Sequence, residues 1–334
     1  MKNKVRVAIN GFGRIGRVTF RVLMDHPEIE LVAINDPGDN KTLAHLLQYD
    51  SVYRELPFKV STSKNGIKVL NNEYPIFHER DPLKLPWKKL KVDVVLECTG
   101  VFKDYKGSVQ HIKAGAKKVI ISSPSKDKKA PTYLLGVNAD KYKGEEVINM
   151  GSCTTNCVAP VMKLVNKKFG VQKSVMSTIH SYTVTQNIVD NKHKDLRRAR
   201  AAAQNIIPTT TGAAQSTAQV MPELNNIFDG MAIRVPTVDG SLSDITIVTK
   251  KNVTESKINQ LFKDASKSKD LKGILSVSNK PLVSSDYIGN PYSSVVDLSL
   301  TKVIDKNLVK IIAWYDNEWG YCNRMVEMVQ VVHK

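Results

Sequence analysis

The first 150 residues alternate short, almost continuously apolar runs with longer amphipathic stretches. Val5–Asn10 reads as a strand, a glycine turn follows, and a helical pattern runs from about Arg14 to Asp25. Leu31–Asn35, Val92–Leu96 and Lys118–Ser122 are further strands, with a helix ending near Ala114-Gly115 between the last two. Strands that are apolar on both sides need cover on both faces, the situation of a parallel sheet. With right-handed crossovers, this alternation predicts an N-terminal α/β unit, a doubly wound parallel sheet of Rossmann type.

Beyond about residue 150 the pattern changes. Ser174–His180, Met231–Val235, Asp244–Thr249, Ser294–Leu300 and Leu308–Tyr315 are longer strand-like runs. Fewer helices separate them, near Cys153–Phe169, Ala213–Met221 and Glu255–Ser266. A C-terminal α+β domain with a mixed or antiparallel sheet is expected. A long polar segment, Ser181 to Pro208, breaks this domain, and a loop of that length is usually functional or interfacial. The last run, Trp319–His333, reads as a helix packing back on the first domain. The expected boundaries are therefore 1–152 with 318–334 for the first domain, and 153–317 for the second.

Composition narrows the class. A chain of 334 residues is long enough for two domains with a core in each. Hydrophobic residues at 42% and charged residues at 24% exclude a collagen, a disordered tail or a membrane protein. No secretory-type apolar segment opens the sequence, and no stretch approaches the roughly 18 apolar residues of a membrane helix. Four cysteines (Cys98, Cys153, Cys157, Cys322) do not make a disulfide framework in a chain of this length. Cys153 and Cys157 lack a second pair at zinc spacing, so no metal is expected and a reducing cytoplasm is the natural setting. The formal charge of +17 is spread over short clusters such as Lys88-Lys89-Leu90-Lys91. Without an aromatic-interleaved basic motif, nucleic acid is not expected as the primary partner. A salt-dependent side role in holding RNA or another polyanion is the non-enzymatic alternative.

Gly11-Phe12-Gly13-Arg14-Ile15-Gly16 follows a strand and opens a helix. Gly11 permits the tight turn, Gly13 lets a pyrophosphate approach the backbone, and Gly16 lets helix and strand pack closely. The free N–H groups and positive dipole end of the helix then hold the anion. Asp36 stands 20 residues after Gly16, at the end of the second strand, where a carboxylate can accept from both ribose hydroxyls. An acid there repels a 2′-phosphate, which favours NAD over NADP.

A second constellation lies at the domain junction. Val147–Cys157 runs from a strand into a helix, with Ser152 or a neighbour as cap and Cys153 in the first turn. A thiol there feels the helix dipole, and with an imidazole nearby its pKa can fall from about 8.5 to between 3.5 and 7.5. Cys157, one turn further in, reads as a buried small apolar residue. His180 ends a strand and has a pKa suited to a general base. Taken singly, Cys153 is as readily structural as reactive, and a lone histidine is more often structural.

The segments Gly11–Arg17, Ser152–Cys157, His193–Ala203, Ile206–Ala214, Arg234–Thr237 and Trp314–Tyr321 closely resemble phosphorylating glyceraldehyde-3-phosphate dehydrogenase, in order and across the whole chain. The resemblance implies Cys153 as nucleophile and His180 as the base that activates it. It implies NAD contacts at Arg14, Ile15, Asp36, Arg80, Thr99, Ser122 and Asn317. One phosphate pocket would be formed by Ser152, Thr154, Thr211 and Gly212 with Arg198 beside it, and the other by Thr183 and Arg234. The activity implied is oxidation of glyceraldehyde 3-phosphate with inorganic phosphate to 1,3-bisphosphoglycerate through a Cys153 thioester. A homotetramer is implied too, with residues 181–207 as a loop reaching toward a neighbouring subunit's cofactor.

Three departures stand out. Asn191-Lys192 replace the usual Leu-Pro, and the lysine adds positive charge where a 2′-phosphate would be met. Met150-Gly151 replace Asn-Ala, and Val238-Asp239-Gly240 replace Pro-Asn-Val, without removing a functional group. The nearest enzymatic rival is erythrose-4-phosphate dehydrogenase. The intact Thr210-Thr211-Gly212 favours phosphate over water as acyl acceptor.

Overall fold

The computed structural model describes residues 4–125 and 127–333; residues 1–3, Lys126 and Lys334 lie outside the described residues. The chain divides into two compact units. One comprises Met1–Tyr133, Ala139–Gly151 and Cys322–Lys334, the other Leu134–Asn138 and Ser152–Tyr321.

In the first unit, β1 (Val5–Asn10), α1 (Arg14–Leu23), β2 (Ile29–Asn35) and α2 (Asn40–Gln48) lead into three short strands. These are β3 (Val60–Thr62), β4 (Gly66–Val69) and β5 (Asn72–Phe77). Then follow β6 (Val94–Glu97), α3 (Tyr105–Lys113), β7 (Lys118–Ile121) and β8 (Val147–Asn149). The sheet order is β3-β4-β5-β2-β1-β6-β7-β8. From β5 to β8 every pairing is parallel, and the chain order of those six strands is 3-2-1-4-5-6, the doubly wound dinucleotide arrangement. Val7, Ala8 and Ile9 of β1 and Val94, Val95 and Leu96 of β6 are wholly buried, as strands covered on both faces must be.

Three details depart from the sequence reading. Helix α1 stops at Leu23, because Met24 and Asp25 already donate to Arg21 and Val22 in tightened i→i−3 turns ahead of Pro27. The antiparallel β3-β4-β5 extension was not evident in the pattern, because most of β3 and the start of β5 are exposed and carry no apolar run. Helix α2 was missed as well; its clearest signal is Asp39, whose carboxylate accepts the Thr42 N–H at 2.9 Å.

The second unit carries α4 (Cys153–Phe169), β9 (Val171–Ser181), β10 (Ile207–Thr210), α5 (Ala213–Val220) and β11 (Phe228–Val235). After them come β12 (Ser241–Thr249), α6 (Glu255–Ser266), β13 (Leu275–Ser278), β14 (Ser294–Ile304) and β15 (Leu308–Tyr315). Its sheet runs β10-β11-β9-β12-β15-β14-β13, with β11/β9 and β13/β14 parallel and the other pairs antiparallel. The predicted mixed sheet is present. Strand β12 alternates buried and half-buried residues throughout, so one face meets the helices. There Cys157, Val158, Val161 and Met162 of α4 join Ile245, Ile247, Ile311 and Ala313 in one core. The final helix, α7 (Trp319–His333), begins in the second unit and belongs to the first from Cys322 onward.

The glycine turn after β1 has the geometry its sequence implies. Gly11 has φ +93°, and a Cβ there would lie 2.6 Å from the Thr99 nitrogen. A Cβ on Gly16 would lie 2.1 Å from the Gly11 carbonyl oxygen, whereas one on Gly13 would meet no atom within 4 Å. Gly16→Ala is expected to destabilise the protein by about 1–3 kcal/mol in urea unfolding, through overpacking against backbone that cannot yield. An unfolding midpoint equal to the unmodified protein's would contradict this reading of the turn.

Candidate functional site

Helix α4 begins with a reciprocal cap. The Thr155 N–H donates to Ser152 Oγ at 3.0 Å, and the Ser152 N–H donates to Thr155 Oγ1 at 3.1 Å. Cys153 is thereby fixed as the first helical residue, with its thiol at the positive end of the helix dipole. Strand β9 delivers the partner: His180 Nε2 lies 3.4 Å from Cys153 Sγ. The histidine is 4% exposed and the cysteine half-buried.

Parallel pairing of β9 with β11 sets Arg234 opposite His180. The Ser181 carbonyl lies 2.7 Å from His180 Nδ1 and accepts from Arg234 Nη1 at 2.8 Å. Nδ1 thus meets an acceptor in that carbonyl and a donor in the Arg234 guanidinium 2.6 Å away; for Nε2 to take a proton from the thiol, the Nδ1 proton must lie toward the carbonyl. Tyr315 stands edge-on to the imidazole, ring centroids 6.0 Å apart. Its hydroxyl is held between Thr154 Oγ1 at 2.9 Å and Thr178 Oγ1 at 2.8 Å.

Burial opposes charge on each partner taken singly. It pushes the Cys153 thiol up to about 11, against the attraction of Arg234. Burial, with the Arg234 cation next, pushes the His180 imidazole down to about 3. The drop in thiol pKa expected from the helix end is therefore not produced by position alone. Transfer of the proton from Sγ to Nε2 would create two opposite charges in contact, each favouring the other.

Two arginines serve this region. Arg234 touches the imidazole, with Nη1 2.6 Å from Nδ1, and the Arg198 charge also acts on His180. Arg198 is braced by Thr209 Oγ1 at 2.8 Å and the Thr210 carbonyl at 3.0 Å, and Thr209 in turn donates to Asp195 at 2.6 Å. Thr211 accepts the Ala213 N–H at 3.2 Å, and Gly212 precedes α5 with open space where a side chain would be. Thr183 pairs with Thr185 at 2.9 Å. Asn317 is buried in the same unit, its Oδ1 accepting from Ser181 Oγ at 2.9 Å and Ser241 Oγ at 2.7 Å. The sequence reading gave no role to the Ser181 carbonyl or the Tyr315 hydroxyl. A tyrosine ending the apolar run Leu308–Tyr315 was the available signal for the latter.

On the first unit, a cleft of about 370 Å³ is lined by Gly11, Gly13, Asp36, Arg80 and Thr99, together with Asn10, Asn35 and Glu79. The Asp36 carboxylate accepts the Phe12 N–H at 2.7 Å and the Gly38 N–H at 2.8 Å. Those bonds use two of its four acceptor positions and leave two for ribose hydroxyls. Space above Gly13, the positive end of α1 and one acceptor position left on each Asp36 oxygen fit a dinucleotide. Arg14, Ile15 and Ser122 do not line the cleft; the Arg14 guanidinium pairs with Asp50 and lies over Tyr53.

Fold and site define a class: one unit built to hold a dinucleotide, and one presenting a thiol paired with an imidazole beside arginines. Comparison with known proteins agrees. The model for the glyceraldehyde 3-phosphate dehydrogenase NAD binding domain matches residues 5–105, and that for the C-terminal domain of the same family matches 152–317. Glyceraldehyde-3-phosphate dehydrogenase of Streptomyces coelicolor is 49% identical over 331 residues, covering 98% of both chains. Those of Geobacillus stearothermophilus and Thermotoga maritima are 49% and 50% identical, over 98% of this chain and 98% and 99% of theirs. The chain belongs to the glyceraldehyde 3-phosphate dehydrogenase family.

The pairing has a direct consequence. Iodoacetamide reacts with thiolate, so labelling of Cys153 reports its ionisation. In His180→Asn the proton acceptor is lost while burial remains, and labelling is expected to require a higher pH than in the unmodified chain. A pH profile unchanged by the substitution would contradict the pairing.

Proposed function

We propose that this chain oxidises glyceraldehyde 3-phosphate with NAD and inorganic phosphate, forming 1,3-bisphosphoglycerate through a thioester on Cys153. The observation that carries the reading is the 3.4 Å contact between Cys153 Sγ and His180 Nε2, with Arg234 alongside. Family membership supports NAD as cofactor and the aldehyde and phosphate as substrates.

The chemistry follows from the residues. Cys153 passes its proton to His180 and adds to the aldehyde carbon, and the protonated Nε2 and the Cys153 N–H steady the oxygen of the adduct. His180 returns the proton to that oxygen, giving a hemithioacetal, and removes it again as the carbon is oxidised. Bound NAD supplies the hydride acceptor. Inorganic phosphate then attacks the thioester carbonyl, and the thiolate leaves to rejoin the His180 cation.

An acyl phosphate needs two anion pockets, one for the substrate's phosphate and one for the attacking phosphate. We assign Thr183 and Arg234 to one, and Ser152, Thr154, Thr211 and Gly212 with Arg198 to the other. Guanidinium forks, hydroxyls and helix-end N–H groups are what oxyanions require. The Asp36 carboxylate favours NAD over its 2′-phosphorylated form. The chain assembles as a homotetramer in the cytoplasm. Supporting that, the loop between β9 and β10 exposes Val184, Ile188 and Leu196 by 87%, 85% and 82%, apolar surface suited to a neighbouring subunit. No helix among the described residues is long and apolar enough to cross a membrane.

The deciding experiment is NADH formation from glyceraldehyde 3-phosphate with and without phosphate. Turnover is expected to need phosphate and to run with NAD in preference to NADP; phosphate-independent turnover would contradict acyl transfer to phosphate. Cys153→Ser is expected to abolish turnover while NAD affinity stays within about threefold, and residual activity above about one per cent would exclude Cys153 as nucleophile. Arg234→Ala is expected to raise the aldehyde KM at least tenfold, with the NAD KM little changed. The opposite split would displace Arg234 from substrate binding.

A further inference from the structure

Behind the dinucleotide cleft lies a buried polar chain that the catalytic scheme does not use. Glu97 ends β6 and is 1% exposed, with four donors converging on its carboxylate. Oε1 accepts the Thr99 N–H at 2.8 Å and the Thr99 hydroxyl, and Oε2 accepts Asn10 Nδ2 at 2.5 Å and faces His111 Nε2 at 3.2 Å. His111 is wholly buried, and its Nδ1 receives the indole N–H of the equally buried Trp87 at 3.0 Å. An indole only donates, so Nδ1 accepts and Nε2 carries the proton toward Glu97. Four donors on four lone pairs describe a carboxylate anion held by a neutral imidazole of fixed tautomer.

The other end of this chain is the cleft wall. Thr99 and Asn10 line the cleft, and Asn10 Oδ1 accepts from Asn35 Nδ2 at 2.7 Å. Asn35 grips Glu79, donating to its carbonyl at 2.8 Å and accepting its N–H at 2.9 Å. Asn35 and Glu79 also line the cleft. The geometry points to Glu97 and His111 as positioning residues for the cofactor: they hold the inner wall of the NAD cleft in register from behind without touching it. This rests on the reading of that cleft as the NAD site.

Glu97→Gln tests the idea with almost no change of shape. Its new amide NH₂ faces Asn10 Nδ2 and His111 Nε2–H, donor against donor. If His111 shifts its proton to Nδ1, the conflict moves to the Trp87 indole. NAD affinity of the full chain, titrated at equilibrium, is expected to fall about tenfold in Glu97→Gln and in His111→Leu, the scale of a misplaced buried hydrogen bond to a charged group. The aldehyde KM is expected to stay within twofold. His111→Gln keeps a donor toward Glu97 and is expected to restore affinity to within threefold of the unmodified chain. A purely structural role would lower the unfolding midpoint and leave the affinity of the folded protein unchanged; that result would overturn the inference. Should Glu97→Gln not fold, the His111→Leu and His111→Gln pair decides the matter by the same criterion. Asp36→Ala separates the two layers of the argument. If it weakens NAD binding while the Glu97 and His111 variants do not, the inference fails alone; if it has no effect, the cleft reading fails and the inference with it.

Discussion

The proposed reaction depends on one contact: a thiol at the first turn of α4, 3.4 Å from an imidazole delivered by β9. Neither group is reactive by burial alone, since a low-dielectric setting penalises thiolate and imidazolium separately. In the proposed reaction the two ionise together, the proton crossing a short gap rather than leaving for water. Much of the second unit maintains that gap. The reciprocal cap at Ser152 and Thr155 fixes where the helix starts, and the central place of β9 in its sheet fixes where His180 points.

Ser181 acts as a junction around this pair. Its carbonyl accepts from Arg234 and lies 2.7 Å from His180 Nδ1, and its hydroxyl donates to Asn317. A residue next to His180 thus ties His180, Arg234 and Asn317, all proposed site residues, together. Arg234 is both a candidate phosphate ligand and an electrostatic neighbour of the base, so its occupancy by an anion bears on how readily His180 takes a proton. In the first unit the same economy appears in another form. Each Asp36 oxygen accepts one backbone N–H, from Phe12 in the glycine turn or from Gly38, and has a second acceptor position left for ligand.

The sequence was most legible where periodicity and chemistry coincide. Val5–Asn10, Cys153–Phe169, Glu255–Ser266 and Trp319–His333 are read to the residue, because apolar period and capping residues agree there. The glycine turn and Asp36 were equally legible, since their spacing is dictated by the strand–turn–helix that carries them. The β3-β4-β5 extension was not, because strands with little buried surface leave no hydrophobic pattern. The Cys153–His180 encounter could be inferred only from resemblance, as the two residues lie 27 positions apart on different elements and nothing local encodes their contact. The Glu97 network was invisible for a similar reason. A charged residue ending an apolar strand is the only local sign of it, and its partners at Asn10, Trp87 and His111 are brought in by topology.

The central claim is that oxidation energy is stored as an acyl bond to Cys153. The most direct measurement mixes the protein with NAD and glyceraldehyde 3-phosphate in phosphate-free buffer, quenches in acid, and locates any covalent adduct by peptide mass spectrometry. The account predicts a phosphoglyceryl thioester on Cys153, formed together with about one equivalent of NADH per chain and discharged when phosphate is added. NADH formation with no adduct on Cys153, or with the adduct on another residue, would contradict it.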